Sequence, residues 1–403
     1  MMKERMIGLA LAAAAAWGSG CSSSDEPVAK PSSPEKVQAI KFVPQGTPQV
    51  GTLHESWRGI PIGETSEKGL KWLVSVQGDD GGWGQDGGHE GDNRKGVSLE
   101  SSGNDLANTS LVCLAILRSG TTMKSGPYVD ALRKGVEFVL KNIKAAPVDG
   151  LQVTTRQGTQ IQRKLGPYID TFLSTMLLSE IDGATADEAS QKRLRGSLGK
   201  CIAKIEKNQA KDGSWNQGGG WAPIISTSIA SRSLYNAQQK GNEVDFACLK
   251  KVDDYTKGNF DAEKKQFRSE QGAGVELYVA AQSLEQASRA PAAAGKPAEV
   301  SGEEAPKKAL REAAKEKLGA AHFVAGFGSM GGEEFVSYLN ISDSLLRSGG
   351  KEWSDWNGKI KERLVKLQNQ DGTWAGHHCI TGRVACTASA VMTLLAERTA
   401  PKM

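Results

Sequence analysis

The sequence predicts an all-α protein, an (α/α)6 toroid of about twelve helices in two concentric layers, and three observations carry that prediction. One signature of helix, glutamine, Asp-Gly turn and tryptophan occurs three times. Amphipathic helices alternate with helices that are uncharged almost all round. The alternation counts out about six hairpins, a number that closes a ring, whereas a solenoid would show a smoother period and polar caps at its ends.

The first copy of the signature runs from Gly69 through Leu70, Trp72 and Leu73 to Gln77, then Asp80-Gly81-Gly82-Trp83. The second is Ile202 to Gln209 with Asp212-Gly213-Ser214-Trp215, and the third is Leu364 to Gln368 with Asp371-Gly372-Thr373-Trp374. Asp-Gly supplies a residue tolerant of positive φ where a helix must stop. The tryptophan then lays a large apolar surface with one polar edge onto the helix just ended. Leu198, Ile202 and Ile205, like Ile360, Leu364 and Leu367, recur at three- and four-residue intervals with charged residues between them, the pattern of a helix with one wet face. Asp105 to Leu117 and Arg383 to Ala396 are almost uncharged after their first turn and must be buried on nearly every side. Alternation of this kind is what an outer and an inner layer require.

The remaining hairpins follow the same rule. Val129 to Ile143 is amphipathic, with Val136, Val139, Leu140 and Ile143 on one face, and Tyr168 to Ile181 is its buried partner. Phe246 to Tyr255 precedes Val275 to Leu284, and Lys307 to Phe323 precedes Phe335 to Leu346. Residues 289–306, rich in Ala, Pro, Gly and Glu, read as a surface insertion between the fourth and fifth units.

The chain divides into residues 1–20, 21–50 and 51–403. Lys3 and Arg5 give a basic start, and Met6 to Trp17 form an apolar run too short to span a bilayer as a mature helix. Gly18-Ser19-Gly20-Cys21 resembles the lipobox of bacterial lipoproteins, with Gly18 where leucine is usual. That resemblance implies export, cleavage and lipidation of Cys21, hence a membrane partner through the N-terminal lipid. Ser22 and Ser23, where an inner-membrane retention signal often places Asp, favour the outer membrane of the envelope. Residues 21–50, rich in Ser, Pro, Lys and Glu, form a tether that cannot build a core. A net charge of +4, with acids and bases interspersed, is a solvated surface and excludes a nucleic-acid footprint. With Cys21 lipidated, Cys113, Cys201, Cys248, Cys379 and Cys386 remain, an odd number that leaves at least one free thiol. Cys113 and Cys201 lie on apolar helical faces as packing residues, and Cys379 could pair with Cys386.

The glutamine, Asp-Gly and tryptophan order resembles the QW repeat of squalene-hopene cyclases, oxidosqualene cyclases and protein prenyltransferase β-subunits, over about residues 60 to 400. Leu117-Arg118-Ser119-Gly120, Gly126-Pro127-Tyr128 and Arg133 to Val139 also look like uncharacterised secreted members of that repeat family. The resemblance implies that Gln77, Trp83, Gln209, Trp215, Gln368 and Trp374 brace neighbouring helices. The family's chemistry does not carry over. Its cyclases use an Asp-x-Asp-Asp acid kept protonated in an apolar cavity, and no such motif occurs here. Asp105 and Asp170 stand singly at helix starts, as caps or first-turn acids. Prenyltransferases hold zinc with Asp, Cys and His. Of that set this chain offers a loop cluster of His377, His378, Cys379 and Cys386, without the Asp-x-Cys element or a standard zinc spacing. No metal and no cofactor is expected. The thioester, serine-hydrolase and phosphate-loop motifs are missing too; Gly326-Phe327-Gly328 and Gly218-Gly219-Gly220 read as turns.

A cavity remains. Asp105, Asp170, Trp221, Glu276, Glu334, His378 and Arg383 fall near one end of the inner helices, and such a set can bind a sugar or another polar ligand. Each residue could equally cap a helix or solvate the rim. The first functional expectation is an envelope lipoprotein that binds a ligand, cell-wall polymer or partner protein at the ring mouth. The alternative is an envelope enzyme acting on a polysaccharide or isoprenoid, with Arg383 and Asp170 or Glu276 as base and charge-neutralising group. Isoprenoid cyclisation is the weaker form of it, since aromatic residues make up 6% of the chain.

Overall fold

The computed structural model describes residues 63–399 except 90, 93, 95–102, 218 and 290–303. The chain divides after residue 42, and the described residues all belong to the second unit. The export signal, Cys21, the tether and most of the 289–306 insertion lie outside the described residues. Glu304 to Pro306, expected in the insertion, already belong to a helix.

Fourteen α-helices run through the described residues: α1 (Glu64–Ser75), α2 (Leu106–Ser119), α3 (Val129–Ala145), α4 (Gln160–Leu165), α5 (Ile169–Ile181), α6 (Glu188–Lys207), α7 (Pro223–Gln239), α8 (Phe246–Lys257), α9 (Glu276–Ala287), α10 (Glu304–Leu318), α11 (Ala321–Val324), α12 (Gly332–Ser348), α13 (Gly350–Leu367) and α14 (Arg383–Leu394). A two-residue antiparallel ribbon, β1 (Phe260–Asp261) with β2 (Gln266–Phe267), sets Phe260 opposite Phe267 between α8 and α9. None of the described helices is long and apolar enough to cross a membrane.

Six helices form the inner ring. α2, α5, α7, α9, α12 and α14 each pack on the next, and α14 returns to α2. α1, α3, α6, α8, α10 and α13 cover them from outside, α1 packing on both α14 and α2 so that the first hairpin meets the last. The two layers follow from residue pattern. In α3, Leu132, Val136, Val139 and Ile143 are buried while Arg133, Lys134 and Glu137 are exposed. In α5, all residues but Glu180 are buried. Serines and threonines fill much of the inner layer, and several of their hydroxyls donate back within their own helix: Thr175 to the Thr171 carbonyl (2.7 Å), Ser344 to Asn340 (2.6 Å) and Thr393 to Ser389 (2.8 Å). Small side chains let the inner helices crowd the axis.

The threefold signature has one geometry in all its copies. The indole N–H of Trp83 donates to the Leu73 carbonyl (2.7 Å), that of Trp215 to Ile205 (2.8 Å) and that of Trp374 to Leu364 (2.8 Å). Each tryptophan's backbone N–H donates to an inner-helix threonine, Thr109, Thr227 or Thr387. Each glutamine donates to the glycine carbonyl of its own turn and to the first turn of the next outer helix: Gln77 to Ala131 (2.9 Å), Gln209 to Cys248 (2.9 Å) and Gln368 to Thr65 (2.8 Å). The last of these carries α13 onto α1 across the closure of the ring. All three indoles are at most 2% exposed. Burying roughly 200 Å² each is worth about 5 kcal/mol at 25 cal/mol per Å².

The far end of the axis is closed by charge. Asp343 of α12 receives a two-pronged hydrogen bond from Arg118 of α2 (3.0 Å each) and another from Arg232 of α7. Glu285 of α9 pairs with Arg289 and with Arg347 (3.4 Å). α2 and α7 are not ring neighbours of α12, so these bonds cross the centre. Burial alone would push Asp343 up, but the guanidiniums of Arg118 and Arg232 outweigh it and hold the carboxyl well below the usual carboxylate range.

Two elements differ from expectation. Lys307 to Phe323, read as one helix, is broken at Gly319 into α10 and α11. α4 was not anticipated. Thr159 and Gln162 cap it reciprocally, each side chain accepting from the other's backbone N–H (3.3 and 3.1 Å). α4 reaches the start of α7, where the Lys164 carbonyl accepts from Trp221 and Ala222, and the approach to α14, where Gln160 donates to Thr381 (3.0 Å). Those positions are apart in the ring, so α4 lies across its mouth.

Candidate functional site

The inner helices all begin at the mouth, so their first-turn residues gather there. The seven expected cavity residues do not converge on one cavity. They form two groups and two outliers.

Asp105 and Asp170 meet. Asp105 caps α2 through the Asn108 N–H (2.8 Å) and takes a second bond from the Asn108 amide (2.8 Å). Asp170 reaches from α5 to the Ala107 N–H (3.0 Å) and accepts from Gln162 of α4 (2.7 Å). Both are at most 3% exposed. Burial pushes both carboxyls above the ordinary range, and for Asp105 the neighbouring Asp170 adds to it. The enclosed space beside them, between Gln85, Asn108, Gln160 and Ile380, is about 10 Å³, room for about one water molecule.

Glu334 and His378 meet on the opposite side of the mouth. Glu334 is fully buried and accepts from the Tyr278 hydroxyl (2.5 Å), the Phe327 N–H (3.1 Å) and the Gly331 N–H (2.9 Å). His378 Nε2 stands 3.3 Å from it. Phe327 lies against the His378 ring (5.1 Å between centroids) and edge-on to Trp221 (6.2 Å), giving an exposed aromatic rim. Glu276 instead pairs with Lys317 of the outer helix α10. Arg383 is drawn off by Asp86 (3.3 Å), the Asp92 carbonyl (3.1 Å) and the face of Trp72 (5.0 Å). Neither of these two is placed to act with Asp170.

Cys379 and Cys386 are both free thiols, so the possible disulfide is not formed. Cys386 is buried within α14, as Cys113 and Cys201 are within their helices. His377 is exposed, while His378 and Cys379 stand near Glu333, a residue the sequence did not single out. Burial raises the Glu333 carboxyl to about 7 and the Cys379 thiol to about 11.

An open space lies beside the axis. A groove of about 410 Å³ runs between the start of α2, the face of α3 and the strand of chain leading to α4. Asp80, Asn104, Asn142, Arg156 and Gln157 supply its polar groups, Phe138 its apolar face, and Asp105 part of its floor. Asn104 donates to Asp80 (2.6 Å), which leaves its Oδ1 buried and unpartnered among the described residues. The volume falls in the range of small-molecule sites, roughly 300–1,000 Å³. Of these residues the sequence pointed to Asp105 as a cavity residue. The polar run Gln152 to Gln157 between two helices contributes Arg156 and Gln157, but nothing in it shows where the run folds.

Comparison with known proteins places the fold. No protein-family model matches the sequence, and no curated protein matches it. Among solved structures, the chain is similar to an inactive variant of the alpha-1,6-mannanase GH76A of Salegentibacter sp. HEL1_6 in complex with alpha-1,6-mannotriose, at 10% identity and a TM-score of 0.56, over 84% of this chain and 99% of that one. It is also similar to the apo type II terpene cyclase MstE from Scytonema, at 13% identity and a TM-score of 0.47, over 82% and 96%. The protein is an α/α toroid. Identities this low speak for architecture and not for activity.

Proposed function

We propose that this protein is an exported, lipid-anchored envelope protein that binds a glycan in the groove beside α2 and α3. The observation that carries the reading is an open polar groove of about 410 Å³ with one aromatic wall, against a space of about 10 Å³ beside Asp105 at the ring mouth. Sugars present hydroxyls to side-chain amides and carboxylates and a C–H face to an aromatic ring, and Asn104, Asn142, Gln157, Asp80 and Phe138 offer that set. The anchor rests on Cys21 and the export signal before it.

Calorimetric titration with a panel of envelope and plant oligosaccharides, alpha-1,6-mannotriose among them, tests the groove. Phe138→Ala and Asn104→Ala should each weaken binding at least tenfold while Trp221→Ala leaves it unchanged. Failure of every oligosaccharide to bind, or equal affinity in the groove variants, sinks the proposal. For the anchor, Cys21→Ser should shift the protein from the membrane to the soluble fraction.

One observation favours a second reading, in which the groove also cleaves its glycan. Asp105 on its floor has a carboxyl raised by burial, as a general acid needs. Time-resolved product analysis separates the two, because a binding protein returns the oligosaccharide intact.

A further inference from the structure

We infer that Glu333, His378 and Cys379 form a site for one divalent transition-metal cation, zinc by preference, where the chain before α14 folds over the start of α12. One ligand atom from each residue lies within 4.8 Å of the others. Zinc bonds of about 2.0–2.3 Å call for ligand separations of roughly 3.3–3.8 Å, a contraction that side-chain rotation supplies. The inference is independent of the glycan groove and of the lipid anchor.

Two buried atoms point to a ligand apart from mere proximity. The Glu333 side chain is fully buried, and its Oε2 accepts from the Ile380 N–H (3.3 Å), but Oε1 has no hydrogen-bond partner among the described residues. His378 Nδ1 is buried and equally unpartnered. Its other nitrogen, Nε2, lies 3.0 Å from the Ser329 carbonyl and 3.3 Å from the Glu334 carboxylate. A ring that donates from Nε2 keeps its lone pair on Nδ1, and a carbonyl or carboxylate in that outer position is how metal-binding imidazoles are oriented. Orphaned buried polar atoms are destabilising, and a cation would satisfy both.

Cys379 adds the third donor. Its φ of 50° lies in the left-handed region, a strained conformation for a residue with a side chain, held at the position that brings the thiol near Glu333. Carboxylate and thiolate together neutralise a dication, the thiol releasing its proton to solvent as the metal–sulfur bond forms. A sulfur, nitrogen and oxygen set suits zinc and disfavours magnesium and calcium, which take oxygen. Three protein ligands leave a fourth position for water. Lys164 is the counter-charge: its ammonium stands 6.0 Å from the Trp221 ring centre and acts on both Glu333 and Cys379, so it competes with the metal.

The test is titration of the chelator-treated full chain with cobalt(II), followed by zinc competition and metal analysis after dialysis. The expected result is one equivalent bound, with a thiolate-to-cobalt charge-transfer band that zinc abolishes. Cys379→Ser should remove the band and weaken binding at least tenfold, Glu333→Gln should weaken it at least tenfold, and Lys164→Met should tighten it. His378→Ala, at the more accessible rim, serves if Glu333→Gln does not fold. No stoichiometric binding, or a band that survives Cys379→Ser, or one that disappears with Cys21→Ser, overturns the inference.

Discussion

Replacing Asp343 with asparagine removes one charge and almost no volume, so its effect isolates the ion network across the axis. Asp343 is 3% exposed, and Arg118 and Arg232, each 10% exposed, both bind it. Breaking one partner of a buried pair costs about 3–5 kcal/mol, because the remaining charge stays buried and unpaired. Here two guanidiniums would be left, with Glu285 the strongest remaining carboxylate influence on Arg232. A folded unit of roughly 340 residues has an unfolding entropy of about 0.7 kcal/mol/K. The melting temperature should therefore fall by roughly 4–7 °C at neutral pH. Differential scanning calorimetry reads this directly, and the double variant Asp343→Asn, Arg232→Met should recover at least half of the loss. The pH dependence has a definite sign. A carboxyl depressed in the folded state stabilises above its ordinary pKa and loses that stabilisation as pH falls through the folded value. The gap between wild type and Asp343→Asn should thus persist through mild acid and close only well below the usual carboxylate range. A fall of less than about 1 °C would refute the reasoning and mean that water reaches the network.

Three further outcomes follow from the fold. Gln209→Ala removes bonds to the Gly213 and Cys248 carbonyls (3.0 and 2.9 Å) and should cost about 1–3 kcal/mol in urea unfolding; no change would show that the outer helices do not depend on the brace. Gly135→Ala would ordinarily stabilise a helix, but its Cβ would meet Cys113 Sγ at 2.5 Å and Trp83 at 2.9 Å, so a loss of about 1–3 kcal/mol is expected, and a gain would contradict the close packing. Asp105→Asn keeps the α2 cap while removing a charge that burial disfavours. A carboxyl raised in the folded state contributes stability at low pH that is lost as pH rises through the folded value, so the variant should match wild type near about pH 4 and exceed it near about pH 8 by a few kcal/mol, roughly 4 at most. Parallel stability curves would rule that out.

How far the sequence reached can be judged element by element. Trp83, Trp215 and Trp374 announce their hairpins because each follows a turn that only a few residue types can make, and the alternation of wet and buried helices supplied the rest of the ring. The network of Asp343, Arg118, Arg232 and Glu285 was not legible. A single charge inside an apolar helix carries no sign of which distant helix neutralises it. α4 was legible in principle, through Thr159 and Gln162 three residues apart, but its length of six residues gives no hydrophobic period. The candidate site was read in part. Proximity of Asp105 to Asp170, and of Glu334 to His378, follows from inner helices beginning at one mouth. The groove depends on how the chain between α3 and α4 drapes over α3, which no local pattern in Thr154 to Gln157 specifies. Arg383 and Glu276 were misplaced because partners outside the inner ring, Asp86 and Lys317, claim them.

The central claim is that ligand lies in the groove beside α2 and α3 and not on the axis of the ring. A crystal structure of the complex with the tightest-binding oligosaccharide tests it most directly. The account predicts a sugar ring over Phe138 with hydroxyls hydrogen-bonded to Asn104 and Gln157, and α4 still seated across the mouth. Sugar density on the axis with α4 displaced, or confined to the Trp221 and Phe327 rim, would contradict it.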